Sequence, residues 1–254
     1  MSRLFFILVL LFLSVDAKNF SFRKYEHVRV FYSEITLDVI EVAKKYNLPP
    51  AAILAMAGLE SGYGSGYVSQ ITGNILSLGA YKSDKELPRL YLPYSKSKKK
   101  VLYDAKVIAK QDKSDLSWRR RPPSLKRDYR VKKYAGSINN LDLLKYDAKL
   151  RNDARLACFK DFATRWISKD SNVKVYKDIR LWLDAKVAQY GVKILFTKEI
   201  NEEFIDKIGG HPNSFNYRKS WPKKVKLIMN RVGLVELTND IYFKKMSFSQ
   251  AWQR

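Results

Sequence analysis

Nine consecutive residues at 51–59, Ala-Ala-Ile-Leu-Ala-Met-Ala-Gly-Leu, carry no charged or strongly polar side chain. This run constrains the chain more than any other stretch. A helix that is apolar all round has no face to show to water, so other elements must surround it. Pro50 suits its first turn, where a missing N–H costs nothing. Gly62 and Gly64 suit its exit, where the backbone turns left-handed. The reading is a buried central helix, entered at Pro49-Pro50 and left through a glycine loop at 62–66. Its one ionisable group, Glu60, lies in the last turn.

A carboxylate is disfavoured there. The C-terminal end of a helix carries partial negative charge, and apolar neighbours disfavour the ionised form. Both effects raise the pKa. Two readings follow: Glu60 tips into solvent as the helix frays, or it stays protonated near neutral pH and serves as a general acid.

The motif around it separates them. Glu60-Ser61-Gly62-Tyr63-Gly64-Ser65, after such a helix, resembles the Glu-Ser-Gly-Trp/Tyr-Gly-Ser/Thr motif of the glucosaminidase family of peptidoglycan hydrolases (mannosyl-glycoprotein endo-β-N-acetylglucosaminidase-like). The resemblance implies a lysozyme-like fold, mainly α with a small β-lobe. It implies Glu60 as the acid that cleaves β-1,4 glycosidic bonds, and Ser61, Tyr63 and Asn74 as substrate-binding residues. The family continues Asn-Asn-Leu-Phe-Gly-Ile-Lys. Here Gly73-Asn74-Ile75-Leu76-Ser77-Leu78 stands in that place, keeping Asn74 and the hydrophobic spacing but not the first Asn, the Phe or the Gly. The match covers roughly residues 31–79.

The chain has 254 residues and a net charge of +23. That length suffices for one domain with its own core. A folded protein this basic meets a polyanion: nucleic acid, an anionic membrane face or an anionic wall polymer. One cysteine, Cys158, excludes an internal disulfide, and two histidines with no Cys/His ligand spacing offer no metal site. No cofactor is expected.

Residues 1–17 read as a secretory signal: Arg3, an apolar run at 4–15 too short to span a bilayer, and Val15-Asp16-Ala17 as the cleavage site. An uncleaved anchor is the competing reading. Export makes the protein periplasmic or secreted, mature from about Lys18. It favours peptidoglycan over nucleic acid as the partner, with peripheral contact to an anionic membrane still open. Residues 18–254 are then one domain with a basic insertion at about 81–136.

Residues 19–29 read as an extended arm. A helix follows, with Ser33 as N-cap, Ile35, Val39, Val42, Ala43 and Tyr46 on one face, and Asn47 and Pro49-Pro50 as its stop. Residues 67–78 form a short helix or turn, and 81–94 a loop or short strands. Between 96 and 133 there are fifteen Lys or Arg against four Asp, with Tyr103, Trp118 and Tyr129 interleaved. Residues 101–109 read as a strand or short helix, and 118–123 as a basic loop. The segment is either a solvated insertion or a cationic, aromatic wall beside a cleft. Helical patterns follow at 137–169, at 174–196 with Gly191 interrupting, at 199–208 before Gly209-Gly210, and at 221–232 with Pro222 in the first turn. The basic tail, 238–254, reads as strand. The run from Tyr217 to Val225 is similar to the family's late element, where a loop Tyr lines the cleft. That implies a catalytic-side role for Tyr217, with Phe215 the poorer candidate. Trp221 is either core or a sugar-stacking residue.

Glycoside hydrolysis needs a proton donor, and a second carboxylate or the substrate's own acetamido group. Glu60 is the donor. Candidates for the second carboxylate are Glu86 and Asp104, beside Tyr91 and Tyr103, and behind them Asp84 and Asp128. Three functions compete. The first is an exported β-N-acetylglucosaminidase. The second is a lytic transglycosylase of the same fold, whose usual Gly-Leu-Met-Gln after the Glu-Ser pair is missing here. The third is a non-catalytic cationic wall-binding protein.

Overall fold

The computed structural model describes residues 20–80, 91–120, 126–130 and 143–254. Among them the chain is mainly helical, with one small antiparallel sheet. Helix α2 (Pro50–Ser61) is the expected hub. Every residue from Pro50 to Gly58 is buried. Helix α1 (Glu26–Lys45), α9 (Trp221–Val232) and α10 (Leu234–Tyr242) pack around it, with α8 (Lys198–Ile208) beyond. Burial of this apolar surface, at about 25 cal/mol per Å² removed from water, is what holds the hub in place.

Helix α1 starts earlier than expected. The stripe Val28, Phe31, Tyr32, Ile35, Val39 and Val42 is continuous and buried, so the helix extends back to Glu26. Ser33 is therefore interior, its hydroxyl donating to the Val30 carbonyl, and caps nothing. Residues 21–24 turn tightly instead of extending. Arg23 is the reason. Its guanidinium donates to the carbonyls of Val232, Gly233, Ala251 and Trp252 at 2.7–3.2 Å, between Phe20 and Trp252. That places the start of the described chain on its end. The tail is helical, not strand: α10 is followed by α11 (Phe248–Trp252), which Ser247 and Gln250 open with a capping box.

Helices α5 (Leu143–Tyr146) and α6 (Ala148–Asp161) divide at Asp147, whose carboxylate caps α6. Helix α6 is tied to α1 by Glu34, which pairs with Arg151 and Arg155. It runs into a π-helical turn, Phe162–Trp166, of the kind found where an inserted residue re-aims a side chain. Helix α7 (Lys174–Tyr190) ends at Gly191, and a 3-10 turn, Val192–Phe196, follows. This is the interrupted pattern the sequence suggested.

The small lobe is a sheet of order β2-β1-β3: β1 (Tyr91–Ser95), β2 (Lys100–Val101) and β3 (Leu116–Arg120). Helix α4 (Ala105–Lys110) sits between β2 and β3, so residues 101–109 are part strand and part helix. Trp118 lies in β3, not in a loop, opposite Pro93. The lobe is fastened to α3 (Tyr67–Thr72): the Tyr67 N–H donates to the Tyr103 carbonyl at 2.8 Å, and Gly66 bridges Asp104. Among the described residues no helix is long and apolar enough to cross a membrane. Residues 1–17, read as a signal, lie outside them.

Candidate active site

Helix α2 ends as its sequence requires. Gly62 takes φ 57° and Gly64 φ 75°, and Tyr63 between them is also left-handed at 53°. Ser61 staples the turn. Its hydroxyl donates to the Ala57 carbonyl at 2.6 Å and accepts the Gly64 N–H at 2.8 Å. Ser61 is buried and satisfied, so it shapes the loop rather than binding substrate. Tyr63 packs edge-on against Phe31, Tyr32 and His27, away from the cleft lining, and burial pushes its phenol up to about 12. It too is structural.

Glu60 lines a cleft of about 330 Å³ with Gly66, Val68, Ser69, Asn74, Ser77, Tyr103 and Lys126. Its Oε1 accepts the Trp221 indole N–H at 2.8 Å, and the polar Asn216 side chain also acts on the carboxyl. Burial raises the Glu60 pKa above the ordinary range; the Trp221 bond, the charge of Lys126, the Asn216 side chain and the charge of Arg218 pull it part of the way back. The net direction is upward, toward a neutral acid. With Trp221 donating to Oε1, the proton of that acid falls to Oε2.

Trp221 is thus a positioning residue, not a stacking one. It is 3% exposed, and its ring lies 5.5 Å from Phe215, itself edge-on to Phe162 of the π-helical turn. Asn216 is set by its own loop. The Arg218 N–H donates to its Oδ1 at 3.1 Å. Tyr217, between them, is 70% exposed, and its ring contacts Arg218. It does not line the cleft; the residue of this loop whose side chain influences Glu60 is Asn216.

Asn74 reaches the cleft but its amide is consumed. Nδ2 donates to the carbonyls of Leu78 and Arg127, and Oδ1 accepts the Leu78 N–H at 2.8 Å. It folds the 74–78 turn. The departures from the family motif fit that turn. Gly73 has φ 70° with its Cα against Ala154, where a side chain would clash, and Ser77 holds the left-handed φ (56°) at the position of the family's glycine. Ser77 accepts two hydrogen bonds from Lys126, through its carbonyl at 2.7 Å and its hydroxyl at 2.9 Å.

Of the residues expected to supply a second carboxylate, the two that are described are engaged elsewhere. Asp104 is exposed and caps α4, its Oδ1 accepting the N–H groups of Lys106 and Val107. Asp128 is buried against Arg130 at 3.0 Å. Asp84 and Glu86 lie outside the described residues. Among the described residues Glu60 is the one carboxylate lining the cleft, and no group of three His, Cys, Asp or Glu could hold a metal ion.

No family model, curated protein or solved structure matches this chain. The resemblance at residues 60–65 therefore stands on its own residues.

The Trp221 contact yields a signed expectation. An N–H bonded to the carboxylate favours the ionised form, so Trp221→Phe should raise the Glu60 pKa. A general acid works protonated, so for an activity that uses Glu60 in that role the alkaline fall of kcat/KM should move to higher pH. A limb unmoved or shifted to lower pH in the pH–rate profile would contradict the assignment.

Proposed function

We propose that the protein is a glycosidase of peptidoglycan, a β-N-acetylglucosaminidase with Glu60 as general acid. The observation that carries this reading is one carboxyl of raised pKa, lining a cleft and held by a buried indole N–H. The Glu-Ser-Gly-Tyr-Gly-Ser motif and the cationic surface support it. Glu60 Oε2–H protonates the departing glycosidic oxygen as the C1–O bond breaks. The acetamido oxygen of the same sugar closes on C1 and spreads the positive charge, which suits a cleft lined by one carboxylate among the described residues. Water then opens that intermediate and leaves a reducing sugar.

A second reading rests on the same lone carboxylate. Attack on C1 by a hydroxyl of the substrate itself needs no water, and would make the protein a lytic transglycosylase. Mass spectrometry of peptidoglycan digested by the purified protein separates the two. Reducing N-acetylglucosamine ends support the first, anhydro-muropeptides the second, and no release contradicts both.

The wall lies outside the cytoplasm, so export belongs to the proposal. Terminal sequencing of the exported protein should begin at Lys18. Retention of Met1 in a membrane fraction would instead indicate an anchor. The net charge of +23 would draw the enzyme to anionic wall polymer, weakening as salt screens it.

A further inference from the structure

We infer that Trp118 and Tyr103 form an outlying sugar-stacking subsite, taking the glycan strand where it leaves the Glu60 cleft and crosses the β-lobe. The inference rests on the glycosidase reading for the identity of its ligand. Its observations are separate. The protein has five tryptophans. Trp166, Trp221 and Trp252 are 3–7% exposed, and Trp182 is partly buried in the core under Lys207. Trp118 is 43% exposed on β3, and Tyr103 is 45% exposed. Leaving so large an apolar ring in water forgoes the burial that aromatic side chains otherwise contribute.

Both residues touch Tyr67, Tyr103 through its backbone and Trp118 through its ring. Tyr67 opens α3 and is buried with Ile71 and Leu92 in the lobe's own small core. Its N–H holds the Tyr103 carbonyl at 2.8 Å, and its ring lies 6.4 Å from that of Trp118. Tyr103 in turn lines the cleft with Glu60. Tyr103 is thus part of the cleft wall, and Trp118 meets the same lobe through the ring of Tyr67. Lys98, Lys100 and Lys106 of the same lobe are exposed, so the rings sit on a cationic surface. Val107 is the one large aliphatic side chain exposed beside them among the described lobe residues. A protein partner would be met by a broader apolar patch with fewer lysines. A pyranose offers an apolar C–H face to an aromatic ring and hydroxyls to the polar rim, and a wall glycan adds the negative charge that lysines attract.

The test uses the full chain carrying Glu60→Gln, so that ligand is bound but not cut. The probes are a disaccharide and a hexasaccharide of β-1,4-linked N-acetylglucosamine, titrated by calorimetry and by tryptophan fluorescence. Adding Trp118→Ala should weaken the hexasaccharide about tenfold, the size of one good aromatic contact. It should leave the disaccharide nearly unchanged and remove the part of the fluorescence response that only the longer sugar gives. Both probes are uncharged, so the loss should be the same at low and at high salt. Trp118→Phe should restore most of the affinity, which separates stacking from misfolding. Unchanged hexasaccharide affinity, equal loss on both sugars, loss that vanishes with salt, or binding of neither sugar would overturn the subsite. Cleavage of peptidoglycan with Trp118 dispensable for the long sugar sinks the subsite alone. Length-dependent binding through Trp118 by a wild-type chain that releases nothing from peptidoglycan upholds the subsite and sinks the glycosidase reading.

Discussion

Glu60→Gln should abolish most turnover, by about a hundredfold to ten-thousandfold, while leaving the protein folded. Glutamine keeps the shape and can still accept the Trp221 N–H, so the hub helix and its glycine loop lose nothing they depend on. What disappears is the proton at the second oxygen. Without it the departing sugar leaves as an alkoxide in a half-buried cleft, where developing negative charge is costly. The loss should appear in kcat and kcat/KM together, since a proton donated in the transition state contributes little to ground-state binding. Wild-type turnover in the purified variant would remove Glu60 from the chemistry.

The second large effect is steric and comes from outside the cleft. Gly209 has extended backbone, φ −147°, so alanine there carries no conformational penalty. Its added methyl would overlap Cε3 and Cζ3 of the Trp221 ring and approach Cδ2 to 3.2 Å. The ring cannot yield freely, being buried and wedged against Phe215. Overpacking of this kind costs about 1–3 kcal/mol, sometimes more. Gly209→Ala should therefore lower the denaturation midpoint, and by moving the indole it should also lower kcat/KM. Gly79→Ala is the matched control, since nothing lies within 4 Å of a methyl there. A Gly209→Ala protein with wild-type midpoint and wild-type kcat/KM would show that the Trp221 contact positions nothing.

The hub helix was legible because its apolar run and its Pro and Gly boundaries are local signals that agree with the global fold. The break at Gly191 and the start of α9 at Trp221-Pro222 were legible for the same reason. Residue roles at the site were less so. Trp221 bonds a carboxyl 161 positions away, and no local pattern tells that N–H from one in an ordinary core. Ser61 and Asn74 belong to the motif as residues that shape the turn, which a motif cannot distinguish from residues that touch sugar. Asp104 did carry a signal: an Asp followed at once by Ala-Lys-Val-Ile-Ala reads as an N-cap, and that use competes with catalysis. Asn216 was within reach, one residue before Tyr217 in a polar loop that leads to Trp221. Lys126 was hidden in a run of like charges, where composition singles out no one residue. The tail misled because Thr238, Ile241, Tyr242 and Phe243 favour strand locally, while packing against α2 and the cap at Ser247 select helix.

The most direct test of the central claim is paired digestion of purified peptidoglycan in heavy-oxygen water by the wild-type and Glu60→Gln proteins, with mass spectrometry of the soluble products. The account predicts N-acetylglucosamine reducing ends carrying one heavy oxygen from the wild type, and almost none from the variant. Unlabelled anhydro ends from the wild type would contradict hydrolysis, and equal release by the two proteins, or release by neither, would contradict Glu60 as the acid that cleaves the bond.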